Sequence, residues 1–181
     1  MPSSNNGWLP RYFSGGLLRR LRPGDLASFQ FYRSNPELGR YQGWAITSEA
    51  EALAFLTRMN TAPMFPLGDW VQLGIAEPVA DRLIGDIGIF LAADGQTAQI
   101  GYTLEFESQG RGIATAAVRE AMHLLFAATR VRQVLGITDE RNKASCRLLE
   151  RAGFQHRENR EAVFRGESCT EKIYVRLRND R

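Results

Sequence analysis

Gln109-Gly110-Arg111-Gly112-Ile113-Ala114 stands between a strand-like run and a helix-like run, and that position decides the fold. Upstream, Gln99-Ile100-Gly101-Tyr102-Thr103-Leu104 has strand character. Downstream, Ile113, Ala114, Ala117, Val118, Ala121, Leu124, Leu125 and Ala128 recur at helical spacing. A glycine turn that opens a helix leaves several backbone N–H groups unpaired and aimed at one spot. That spot is an anion site, and the glycines let a phosphate approach the backbone.

A second segment makes the first specific. The strand-like run Arg132 to Thr138 leads into Asn142-Lys143-Ala144-Ser145-Cys146-Arg147-Leu148-Leu149-Glu150-Arg151-Ala152-Gly153-Phe154. Asn142 is placed to cap a short helix. Gly153 is placed at its C′ position, with Phe154 folding back on Leu149 in a Schellman closure.

Q-x-x-G-x-A followed by N-x-x-S-x-x-x-L-x-x-x-G-F resembles the GNAT superfamily of acyl-CoA N-acyltransferases, and within it the RimJ/RimL type. The resemblance covers residues 17–178. It includes Leu18 to Leu26 as an opening strand and turn, 82–106 as a central hairpin and Lys172 to Leu177 as a closing strand. Two positions depart from that group: Gln99 stands where an acid is frequent, and Gln109 where a tryptophan is frequent. The first removes one place for a catalytic carboxylate. The second restores the residue type of the wider superfamily.

A chain of 181 residues with 44% hydrophobic content suits one globular domain. Residues 1–10 are expected to form a flexible polar tail and 11–181 a single acetyltransferase domain. Met1 to Gly7 lacks the basic and apolar regions of a signal peptide. No apolar run approaches the roughly 20 residues that cross a bilayer. Cys146 and Cys169 are read as reduced thiols of a cytoplasmic chain.

The charge is uneven. Residues 1–95 hold 8 Arg, no Lys and 9 acids, whereas residues 96–181 hold 15 basic and 11 acidic residues. The positive excess lies in the half with the phosphate turn, which suits the phosphates of coenzyme A. No dense basic run with interleaved aromatics appears, which argues against nucleic acid as a direct partner.

The pattern predicts strands at 17–21, 69–76, 82–92, 97–105, 132–138 and 171–178. Helices are expected at about 25–32, from the Ser48/Glu51 capping box to Met59, at 111–128 and at 143–152. Asn60 to Pro66 reads as a loop, Asp94-Gly95 as a hairpin turn, and 155–168 as a strand or a loop. The expected class is α/β (α+β): a mixed, mostly antiparallel twisted sheet flanked by helices.

The resemblance implies that strands 97–105 and 132–138 run parallel and splay apart. Pantetheine then pairs with the first strand near Thr103 and Leu104. The pyrophosphate sits on the turn formed by Gln109, Gly110, Arg111, Gly112, Ile113, Ala114 and Thr115. Asn142 and Ser145 face the wedge, and Ser145 donates to the departing thiolate. A backbone N–H of the splayed strand stabilises the oxyanion. Carboxylate candidates are Glu161, favoured by the resemblance, then Glu105 and Asp86. Tyr41, Trp44 and Phe65 are candidates for the acceptor pocket. His123, His156 and the two cysteines have no metal-site spacing.

The expected activity is acetyl transfer from acetyl-CoA to a primary amine in a ternary complex, by a monomer or homodimer. The acceptor is a peptide α-amine, or alternatively a small-molecule amine such as an antibiotic, a polyamine or an amino-acid-like compound. A non-catalytic acyl-CoA sensor is the competing class. A purely structural module leaves the paired motifs unexplained.

Overall fold

The computed structural model describes residues 7–45 and 47–178. One eight-stranded sheet runs through it in the order β1-β2-β3-β4-β5-β6-β8-β7. In chain order the strands are β1 (Arg11–Phe13), β2 (Gly16–Arg20), β3 (Asp69–Ala76), β4 (Leu83–Leu91), β5 (Thr97–Leu104), β6 (Gln133–Asp139), β7 (Gln155–Phe164) and β8 (Glu167–Leu177). Every neighbouring pair is antiparallel except β5 with β6. The expected mixed, mostly antiparallel sheet is thus the observed one.

The helices are α1 (Leu26–Arg33), α2 (Pro36–Gly39), α3 (Glu49–Thr61), α4 (Ile113–Ala128) and α5 (Lys143–Arg151). They divide the apolar residues into two clusters. Ile113, Ala117, Val118, Ala121, Met122, Leu124 and Leu125 of α4 join Val71, Ile87, Ile89 and Ile100 of the strands in the larger one. The smaller joins Phe29 and Tyr32 of α1 to Ala52, Leu56 and Met59 of α3, over Leu21 and Leu83. The helical period of α4 exists because one face must meet that sheet.

Local signals act as their chemistry requires. Ser48 Oγ accepts from Glu51 N–H while the Glu51 carboxylate accepts from Ser48 N–H, closing the capping box on α3. Gly153 N–H donates to Glu150 O and Phe154 N–H to Leu149 O, each at 3.0 Å, which is the Schellman pair. A Cβ at Gly136 of β6 would stand 2.5 Å from Leu149 Cδ2, so α5 seats directly on β6.

Two features differ from the sequence expectation, and one left open there is resolved. Trp8 and Leu9 pack against the larger cluster, so they belong to the domain and not to a flexible tail over 1–10. Residues 1–6 and 179–181 lie outside the described residues. The segment 155–168 is the strand β7 and the start of β8, joined at Arg165 and Gly166. Two short elements, β1 and α2, were not anticipated. α2 carries a readable signal, Asn35 accepting from Glu37 N–H and Leu38 N–H with Pro36 in the first turn.

Candidate active site

β5 and β6 pair from Thr97↔Gln133 to Ile100↔Gly136, and there their register stops. β4 still holds β5 at Gly85↔Leu104, and β8 still holds β6 at Asp139↔Glu171. Each strand is thus fixed on its outer side while the two part from each other. The gap is a cavity of about 490 Å³.

The strand backbone facing this gap follows from one bond. Glu105 N–H donates to Ile84 O at 2.8 Å. Alternation along β5 then turns the backbone of Thr103 toward β4 and the backbones of Tyr102 and Leu104 toward the gap. Two side chains agree: Gln42 Nε2 donates to Tyr102 O and Gln109 Nε2 to Leu104 O, each at 2.9 Å. Thr103 lines the cavity, but the backbone facing it is that of Tyr102, because consecutive strand residues face opposite neighbours.

The glycine turn has the geometry that an anion needs. Gly110 and Gly112 lie at φ 74° and 78°, in the left-handed region that disfavours a Cβ. A Cβ at either would meet nothing within 4 Å, so the space above the turn is open. Ala116 N–H makes the first α4 bond, to Gly112 O. The N–H groups of Ile113, Ala114 and Thr115 therefore have no helical partner. Arg147 and Arg151 of α5 line the same cavity. Pyrophosphate fits this set of donors and charges.

Ten of the expected cofactor residues line the gap together: Thr103, Leu104, Gln109, Gly110, Gly112, Ile113, Ala114, Thr115, Asn142 and Ser145. Arg111 does not; it is exposed outside the lining. Asn142 Oδ1 accepts from Ser145 N–H at 3.2 Å, so the cap also fixes the serine's backbone. Ser145 Oγ lies 2.8 Å from the Tyr102 hydroxyl. Burial pushes the Tyr102 phenol above its ordinary range, while its bond to Ser145 acts the other way. Tyr102 carried no site signal beyond sharing a strand face with Ile100 and Leu104.

Two of the three carboxylate candidates have structural partners. Asp86 is buried and accepts from Tyr32 Oη (2.5 Å), Arg33 Nη2 (2.9 Å) and Gln72 Nε2 (3.1 Å). Glu105 is buried and accepts from Arg82 Nη2 (2.7 Å) and Ser108 Oγ (2.8 Å). Glu161 is exposed on β7, accepts from Thr170 Oγ1 at 3.2 Å, and does not line the gap. Among the described residues the carboxylate that does is Glu37, exposed on α2, which sequence reasoning passed over.

The aromatic candidates separate. Tyr41 lines the gap. Trp44 packs over Gly39 with the Arg33 guanidinium 4.6 Å from its ring, and Arg165 Nη2 from the β7–β8 turn donates to its carbonyl at 3.1 Å. Phe65 belongs elsewhere: it lines a second cavity with Trp8, Leu91, Gly95 and Arg130, at the opposite end of β5 and α4. Phe65 therefore does not line the gap. Among the described residues no cluster of three metal-ligating side chains occurs.

The family model described as an acetyltransferase (GNAT) domain matches residues 17–155. The Bacillus subtilis probable N-acetyltransferase YjcK is 40% identical over 89 residues, a match spanning 48% of this chain and about half (49%) of that protein. An acetyltransferase (GNAT family) from Bacillus anthracis superposes with TM-score 0.82 at 16% identity, over 93% of this chain and 98% of its own. RimL, a ribosomal L7/L12 alpha-N-protein acetyltransferase solved with coenzyme A, superposes with TM-score 0.75 at 17% identity, over 91% and 94%. With the splayed strands and the glycine turn in place, the chain belongs to the acetyltransferase (GNAT) domain family.

Proposed function

We propose that the protein transfers acetyl from acetyl-CoA to the α-amine of a peptide or amino-acid-like compound, by direct attack in a ternary complex. The observation that carries this reading is that none of the three expected carboxylates is free at the gap, where the lining carboxylate among the described residues, Glu37, is exposed to water. Asp86 is committed to a buried ion pair with Arg33 and Glu105 to one with the half-exposed Arg82, and Glu161 stands outside the lining. Deprotonating a lysine-like amine of pKa about 10.4 costs roughly 4–5 kcal/mol at pH 7, whereas an α-amine near 7.7–8.0 costs about 1–1.4 kcal/mol. A site so equipped favours the amine that is already partly neutral. Glu37, at the mouth, attracts the ammonium form of either.

The neutral amine attacks the thioester carbon, forming C–N as the C–S bond breaks. A gap-facing N–H of Tyr102 or Leu104 stabilises the oxyanion. Ser145 Oγ donates a hydrogen bond to the leaving thiolate, which takes its proton from water on release. The new ammonium loses one proton to water, so the balance closes. Two free, buried cysteines fit action in the cytoplasm.

Matched peptides test the acceptor: one with a free N-terminus and no lysine, one with a blocked N-terminus and an internal lysine. Thiol release from acetyl-CoA should be faster with the first. Faster acetylation of the second points to a base at the gap such as Glu37 and sinks the α-amine reading. Turnover only with spermidine or an aminoglycoside instead assigns a small-molecule acceptor.

A further inference from the structure

We infer that Tyr102 is a positioning residue for Ser145: its hydroxyl donates to Ser145 Oγ and leaves the serine's single proton facing the gap. The inference rests on the reading of Ser145 as the thiolate's donor.

The two hydroxyls lie 2.8 Å apart, and either can donate. A serine hydroxyl carries one hydrogen and two lone pairs, so the direction of this bond decides where that hydrogen points. If Ser145 donated to Tyr102, the tyrosine hydrogen would need another acceptor. The nearest is Ser145 O at 3.4 Å, beyond the ordinary range of an O–H···O bond. With Tyr102 as donor, its hydrogen sits in the short bond, and the hydrogen left over is the serine's, at the cavity that Ser145 lines.

Its surroundings keep Tyr102 in that role. The ring packs against the larger apolar cluster, on the strand face shared with Ile100 and Leu104. Its carbonyl is held by Gln42 Nε2. Burial disfavours the phenolate, so the hydroxyl keeps its hydrogen through the neutral pH range. Asn142 meanwhile holds the Ser145 backbone N–H. The serine is therefore fixed from two directions, by backbone from its own helix and by hydroxyl from β5.

Coenzyme A alone provides an acceptor-independent test. Its thiol, bound to the 181-residue chain, is titrated by the ultraviolet absorbance of the thiolate. The same titration without ligand is subtracted, to remove the tyrosines and the neighbouring Cys146. Ser145→Ala should raise the midpoint by about one pH unit and Tyr102→Phe by about half a unit, as expected for a charged and a neutral hydrogen bond. The double variant should move no further than Ser145→Ala. A midpoint unmoved by Tyr102→Phe, or a Tyr102→Phe shift that persists in full without Ser145, overturns the inference. Tight CoA binding with a midpoint unmoved by Ser145→Ala refutes the serine's role and this one with it. Should Tyr102→Phe not fold, Tyr102→Leu keeps an apolar filler at the position and is read by the same two outcomes.

Discussion

Gly112→Val is expected to separate cofactor binding from the integrity of the fold. Gly112 holds φ 78° at the start of α4, and a side chain there would meet no protein atom within 4 Å. The cost to the unliganded protein is therefore backbone strain alone, about 1–2 kcal/mol. An unfolding entropy of about 0.4 kcal/mol per kelvin for a chain this long converts that to a loss of about 3–5 °C. In the wild-type protein, CoA at a hundred times its dissociation constant adds about 2.7 kcal/mol, or about 7 °C. If the pyrophosphate lies on this turn, the valine occupies its place, so this second increment should vanish while the first remains. Differential scanning fluorimetry with and without CoA reads both. A variant that melts a few degrees low yet gains the full ligand shift refutes the placement of the phosphates on this turn.

Ser145→Ala should lower kcat about tenfold or more, the effect of a hydrogen bond to a charged group, with little change in the dissociation constant for CoA. Unchanged turnover with an active amine returns Ser145 to a helix-start role. Asp86→Ala strands the Arg33 guanidinium and the Tyr32 hydroxyl, and should cost about 3–5 kcal/mol in a denaturant titration. A stable Asp86→Ala protein that binds CoA but has lost turnover would instead make Asp86 catalytic. The Arg141 guanidinium holds the Asp139 carboxyl below its ordinary range. The unfolded chain then binds the extra proton first. This contribution is complete above the ordinary aspartate value of about 3.9 and is lost as pH falls through the lower folded value. Asp139→Asn should flatten that part of the acid limb of the stability curve, and an unaltered limb would contradict the pairing.

Much of the fold was legible because its signals are local. The α4 face, the Ser48/Glu51 box and the Gly153 closure each act within one or two turns of chain, and each is observed. The glycine turn belongs to this class, since its free donors are backbone groups placed by two glycines. What the sequence did not disclose depends on partners far along the chain. Asp86 looked available until Tyr32 and Arg33, more than fifty positions away, were found on it. Gln42 reaches Tyr102 across 60 positions, and Tyr102 reaches Ser145 across 43. No periodicity encodes such meetings; the sheet order creates them. Phe65 failed for the same reason, because a loop residue carries no statement of which sheet end it covers.

The two rims of the sheet bear on how the folded chain behaves at high concentration. An open row of strand N–H and C=O groups is a template for another chain. β1 offers three residues, too few to seed such pairing. β7 offers ten, but its register breaks between His156 and Glu158, and Arg157, Glu158, Arg160 and Glu161 stand exposed along it. The irregularity twists the rim away from flatness, and docking an incoming strand would strip water from four charges. Aggregation by strand addition is thus opposed at both ends of the sheet.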